Sequence, residues 1–243
     1  VARTYKHEDV KELAKYATVP VINGLSDKAH PCQALSDIFT VKEKFGTFKG
    51  ITLSGILENK VFSLEEKFNC ENGAWAVAGK VLHDHHGSGI LSFRQVIEKS
   101  SNIGTVKGAM RLGADRLYKT IKAFGFGDRT GILLAGEVRG IAAAPKNWSR
   151  SSIINIPIGQ GIAVTPIQMV CAFGAMANDG ILMTPRIISK VEDAQGRLIQ
   201  SYESKPVRQS ISKETSLQVR SVLEGAVSRG TGKKAVVPGF RAA

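Results

Sequence analysis

Gly46-Thr47-Phe48-Lys49, running on through GITLSGILE (50–58), is the stretch on which the reading of this chain turns. From Lys49 to Glu58 apolar residues recur at helical spacing, which predicts a helix with a lysine at its start. Positions 46 and 49 are three apart, a separation that puts two side chains on one helix face. Residue 46, however, is a glycine and has no side chain to present. Two unrelated sequence characters meet at this point.

On the upstream side, EDVKELAKYA (8–17) predicts a helix with acids in its first turn. VPVINGL (19–25) predicts a short buried strand ending near Gly24. His30-Pro31-Cys32-Gln33 follows, then a helical run from about Ala34 to Phe45. Helix, strand, loop and helix in that order form an α/β unit too short to close a sheet.

On the downstream side, Asn72-Gly73 marks a turn and residues 76–82 predict a strand. Residues 92–112 predict a helix broken near Ser100–Asn102, and ADRLYKTIKAF (114–124) a second one stopped by Gly125. A loop over 125–147 leads to the apolar helix PIQMVCAFGAMAN (166–178), with Pro166 in its first turn. Residues 185–203 alternate and turn at Asp193–Gly196, which predicts a hairpin. Ser212 caps a last helix running to about Arg229.

Composition sets outer bounds. With 43% hydrophobic and 22% charged residues, the chain of 243 residues is globular. Its net charge of +12 lies mostly beyond residue 50. The basic residues are scattered without an arginine-rich block, so they read as a solvated surface and not as a nucleic-acid site. No apolar run approaches the ~18 residues of a membrane span. The chain opens at Val1 with no secretory signal, so as written it is expected to stay in the cytoplasm. Cys32, Cys70 and Cys171 are odd in number and widely spaced, which predicts buried free thiols and no disulfide framework. His83-Asp84-His85-His86 reads as a surface turn, because adjacent positions rarely converge on one ion. Gly230-Thr231-Gly232-Lys233-Lys234 lacks the spacing of a phosphate loop. Trp75 and Trp148 read as packing residues. No metal or cofactor is expected, and nothing in the sequence sets an oligomeric state.

A series of stretches from about residue 49 onward carries a resemblance. They are Cys70-Glu71-Asn72-Gly73, His83-Asp84, FRQVIEKSSNIG (93–104), RLG (111–113) and FGFGDRTGI (124–132). IPIGQGIAVTPIQM (156–169) and GTGKKAVVPGFRAA (230–243) complete the series. In order and spacing they closely resemble the transpeptidase domain of class B penicillin-binding proteins. That family cross-links peptidoglycan stems, is acylated by β-lactams and uses three motifs: Ser-x-x-Lys, Ser-x-Asn and Lys-Thr/Ser-Gly. The resemblance implies a lysine that takes the proton of an attacking serine. It also implies Ser-x-Asn groups that bond the lysine and the substrate amide, and a Lys-Thr-Gly strand whose backbone helps form an oxyanion hole.

Matched residue by residue, the resemblance puts Ser100-Ser101-Asn102 at the Ser-x-Asn motif and Lys49 where the family's catalytic lysine would be. Alone, Ser-Ser-Asn would read as a local helix cap. The nucleophile position is Gly46, which has no hydroxyl to acylate. Thr47 lies two residues from Lys49 and points to a different side of the helix, so it is not expected to substitute. The third motif would follow GFRAA in the family; the sequence as written stops at Ala243, so an unpaired sheet edge is expected for it.

ARTYKHEDV (2–10), VPVINGLSD (19–27), HPCQALSD (30–37) and KEKFG (42–46) resemble the carbamoyl-phosphate domain of ornithine carbamoyltransferase. There the resemblance implies that His30 and Gln33 touch the carbamoyl group, for which an imidazole and a carboxamide are suited. The family's upstream Ser-Thr-Arg-Thr-Arg phosphate grip is absent, so carbamoyl phosphate is not expected to bind.

The fold expected is mixed α/β (α+β). It comprises an incomplete penicillin-binding/serine β-lactamase-like domain over 47–243 and a short α/β fragment over 1–46. The expected function is that of a transpeptidase domain fragment, inactive as written, whose partners by resemblance are a peptidoglycan stem peptide or a β-lactam. A non-catalytic peptide-binding module and a carbamoyltransferase remnant are the alternatives. The larger part's family works on the outer face of the cell membrane, in contrast to the cytoplasmic expectation for the chain as written.

Overall fold

The computed structural model describes residues 2–3, 6–16, 23–25, 48–133, 135–236 and 242. The chain divides into two compact units, Val1–Lys44 and Phe45–Ala243. In the first, β1 (Ala2–Arg3) pairs in parallel with β2 (Asn23–Leu25), and α1 (His7–Tyr16) lies between them in sequence. Glu8 and Asp9 occupy the first turn of α1 and Lys15 the last, matching the helix dipole at both ends. The predicted helix over 34–45 and the first residues of the 19–25 strand lie outside the described residues.

The second unit is built around α2 (Phe48–Glu58), which is buried from Phe48 through Leu57. A helix apolar on every side has no solvent face, so other helices surround it. These are α3 (Phe93–Glu98), α4 (Asn102–Leu112), α5 (Ala114–Ala123) and α8 (Lys213–Ser228). Gly55 permits the close approach of α5: a Cβ there would stand 2.7 Å from Thr120 Oγ1 and 3.1 Å from Leu112 Cδ2. Phe62, Phe68 and Phe93 close one end of this core, with Phe62 and Phe93 edge-to-face at 4.8 Å between ring centres.

Capping fixes where the helices begin. Ser92 and Gln95 form a capping box at α3. Thr165 and Gln168 form another at α7 (Pro166–Ala177), with Pro166 in its first turn. Gln168 is buried, and its amide donates to the carbonyls of Asp128 (2.7 Å) and Arg139 (2.9 Å), pinning the long loop predicted over 125–147. Ser212 caps α8, and its N–H and hydroxyl both donate to the Glu58 carboxylate at 2.9 Å. The end of α2 and the start of α8 are thereby tied.

The strands are short, and among the described residues every ladder is two-stranded. β3 (Lys67–Asn69) pairs with β6 (Ile90–Ser92), and β7 (Ile181–Met183) with β10 (Pro206–Gln209), both antiparallel. β8 (Lys190–Glu192) and β9 (Leu198–Ser201) form the hairpin expected within 185–203. The single strand predicted over 76–82 is instead a second hairpin, β4 (Ala74–Val77) and β5 (Lys80–His83). Ala78 and Gly79 both take positive φ (48° and 75°), the tight turn whose twist matches the flanking strands. Alanine at the first turn position concealed it from a sequence reading. A helix of four residues, α6 (Ser152–Asn155), lies between the long loop and α7.

Candidate active site

Three predicted site residues fall in the described part of the chain, and packing brings two of them into contact. Lys49 sits in the first turn of α2 and is only 4% exposed. Its ammonium donates to the Ser100 hydroxyl at 2.9 Å and to the Ser100 carbonyl at 2.5 Å. Burial lowers the Lys49 pKa from 10.5 to about 8, opposed by the negative charge of Asp84, which raises it. Such an amine is poised to exchange a proton near neutral pH.

Ser100 occupies the break between α3 and α4 at φ 58°, a left-handed conformation uncommon for a residue with a Cβ. Strain of this kind, about 1–3 kcal/mol, persists only where surrounding contacts enforce it. Ser101 is the N-cap of α4, accepting from Gly104 N at 3.0 Å, so the bland reading of Ser-Ser-Asn as a cap also holds for its middle residue. Asn102 turns away from Lys49, and its side-chain amide donates to the His83 carbonyl at 2.8 Å.

Asp84 is the residue whose part in this arrangement the sequence reading missed. One carboxylate oxygen accepts from Asn102 N (2.5 Å) and Ile103 N (3.0 Å), and the other from the Ser101 hydroxyl (2.5 Å). The two N–H groups are orphan donors of the α4 N-terminus, answered by a carboxylate from the end of the β4–β5 hairpin. The sequence signal was present in the His83-Asp84 pair, but its neighbours made it look like a surface turn. Among the described residues no group of three or more His, Cys, Asp or Glu side chains could hold a metal ion.

A groove of about 280 Å³ runs past Asn102 between the β4–β5 hairpin and residues 151–160. Lys80, His83, Asn102, Ser151, Asn155 and Gln160 supply its polar lining. Among the described residues no helix is long and apolar enough to cross a membrane. Gly46, His30 and Gln33 lie outside the described residues. Of the thiols, Cys70 is buried and free, and Cys171 is free and half-buried, with burial pushing its pKa up to about 11.

Comparison with known proteins identifies the family of each part of the chain. Residues 46–243 match the penicillin binding protein transpeptidase domain, and residues 1–43 match the carbamoyl-P binding domain of aspartate/ornithine carbamoyltransferase. The chain therefore belongs, over most of its length, to the penicillin-binding transpeptidase family, with a carbamoyltransferase-like fragment at its start. It is 36% identical over 207 residues to stage V sporulation protein D of Bacillus subtilis, covering 84% of this chain and 32% of that protein. The crystal structure of penicillin binding protein 3 from Mycobacterium tuberculosis complexed with aztreonam superposes with a TM-score of 0.73 at 33% identity. That match covers 82% of this chain and 46% of the other. At the start of the chain, 51 residues are 69% identical to the anabolic ornithine carbamoyltransferase of Pyrococcus furiosus, which is 21% of this chain and 16% of that enzyme. The chain thus spans about a third of the first curated relative it matches.

Proposed function

We propose that this chain carries a penicillin-binding transpeptidase domain that has kept its proton-handling groups and lost its nucleophile. One observation carries the reading: position 46, three residues before Lys49, is glycine. Acyl transfer through serine needs an oxygen to bond the acyl carbon, and glycine has none. Lys49, Ser100 and Asn102 are the residues assigned to the site. Lys49 and Ser100 would pass a proton, and Asn102 would meet the substrate amide. With no hydroxyl at position 46, that proton has no donor.

The test is a gel with a fluorescent penicillin. The expected result is no specific band above that of a heat-denatured control. Labelling that a β-lactam competitor abolishes would overturn the reading.

A second reading is supported by the groove beside Asn102. Its lining of amides, a hydroxyl, an imidazole and an ammonium suits the backbone and carboxylates of a short peptide. The chain would then act as a non-catalytic peptide- or muropeptide-binding module. Calorimetric titration with a peptidoglycan stem peptide tests it: saturable heat that weakens on Asn102→Ala supports binding, and a flat titration ends the idea.

A further inference from the structure

Helix α3 is six residues long, and the Ser100 turn hangs from its C-terminus. Carbonyls at such an end lack partners within the helix. Two are answered locally: Ser101 N donates to Val96 O at 2.8 Å and Ser100 N to Ile97 O at 3.0 Å. This is a Schellman arrangement with Ser100 at the left-handed position. The Ser100 carbonyl is answered by Lys49.

Glu98 is held from much further along the chain. Its carbonyl accepts from Thr231 N at 3.2 Å. Its carboxylate, on a side chain only 8% exposed, accepts from Arg229 Nη2 at 2.7 Å, while the Arg229 side chain is 64% exposed. The end of α8 presses so close that a Cβ on Gly225 would strike Glu98 Oε1, and one on Gly230 would strike the Glu98 carbonyl oxygen. Both the backbone and the side chain of Glu98 are therefore pinned, two residues before Ser100.

We propose that Arg229 is a positioning residue: by ion-pairing Glu98 it holds the last turn of α3, and so seats the Ser100 hydroxyl and carbonyl against Lys49. A buried carboxylate without a partner is driven toward water. Glu98 is packed against the end of α8 at Gly225 and Gly230, so displacing it is expected to turn the helix end that carries Ser100. The segment after α8 is thereby coupled to the Ser100 turn, although no residue of that segment need touch a substrate. This inference rests on the reading of Lys49, Ser100 and Asn102 as the site.

The experiment follows the Lys49 amine in the full-length chain. Lysine labelled with ¹³C at Cε is titrated by NMR, and Lys49→Arg identifies the resonance. In Arg229→Met, the Lys49 midpoint is expected to rise by at least about half a pH unit toward the ordinary lysine value, as the turn opens and water reaches the amine. Arg229→Lys is expected to restore at least part of the shift. Thermal unfolding is measured in parallel, and titrations are run well below the transition. A lowered transition with a Lys49 midpoint within about 0.1 unit of the parent would overturn the proposal and leave Arg229 a structural tie only. Should Arg229→Met fail to fold, Glu98→Gln/Arg229→Met removes the buried charge together with its partner and is judged by the same criterion. No ligand enters this titration. A chain that binds no peptide yet moves its Lys49 midpoint keeps the coupling and loses only the functional reading.

Discussion

The Lys49 ammonium rests 2.9 Å from the Ser100 hydroxyl, across 51 residues of sequence, and Lys49 itself is almost closed to water. Its energetics depend on pH in a defined direction. Folded Lys49 titrates at about 8, whereas an unfolded lysine titrates at its ordinary 10.5. Between these values the unfolded chain binds more protons than the folded one, so stability rises with pH across that window. Below about pH 8 both forms carry the proton and the cost of burying the charge is present in full. Measured against Lys49→Met, which titrates at neither value, the parent should gain up to about 3 kcal/mol between pH 8 and 10.5. Chemical denaturation of both proteins across that range checks it; parallel curves would refute it.

Asp84 acts on Lys49 through charge, so Asp84→Asn should lower the lysine midpoint below about 8. The same carboxylate caps α4 through three hydrogen bonds, so Asp84→Ala should also cost about 1–3 kcal/mol of stability. A lysine NMR titration reads the first effect and urea unfolding the second. An unchanged or raised midpoint in Asp84→Asn would contradict the first.

Gly46→Ser returns a hydroxyl to the position three residues before Lys49. Weak labelling by a fluorescent penicillin should appear in this variant and vanish in Gly46→Ser/Lys49→Ala. Labelling that survives loss of the lysine would mean that some other residue is reacting.

The α2–α5 contact leaves no room at Gly55, where a Cβ would meet Thr120 Oγ1 and Leu112. Gly55→Ala should therefore destabilise by about 1–3 kcal/mol despite alanine's better helix propensity. Adding Thr120→Ala, which removes the facing hydroxyl, should return part of the loss. A stabilised Gly55→Ala in thermal unfolding would show that the helices part more easily than their packing indicates.

Much of the fold was legible because its signals are local. Pro166 in the first turn of α7, Ser212 at the cap of α8 and the break at Ser100–Asn102 are starts and stops set by residues close by in sequence. The β4–β5 turn escaped because alanine stands where asparagine or glycine would have advertised a positive φ. Asp84 escaped for a different reason: a carboxylate's role depends on which helix end it faces, and nothing near it in sequence names that helix. Glu98 and Arg229, separated by 131 residues, are likewise invisible as a pair until α3 and α8 pack.

By itself the sequence determined the two family characters, their meeting near residue 46 and the absence of a hydroxyl there, since covalent chemistry needs only the identity of the residue. Only the tertiary structure decided that Lys49 is buried against Ser100, that Asp84 caps α4 and that the end of α8 braces Glu98. Those are matters of desolvation and of donors meeting acceptors across long loops, and only the packed chain brings such groups within about 3 Å of one another.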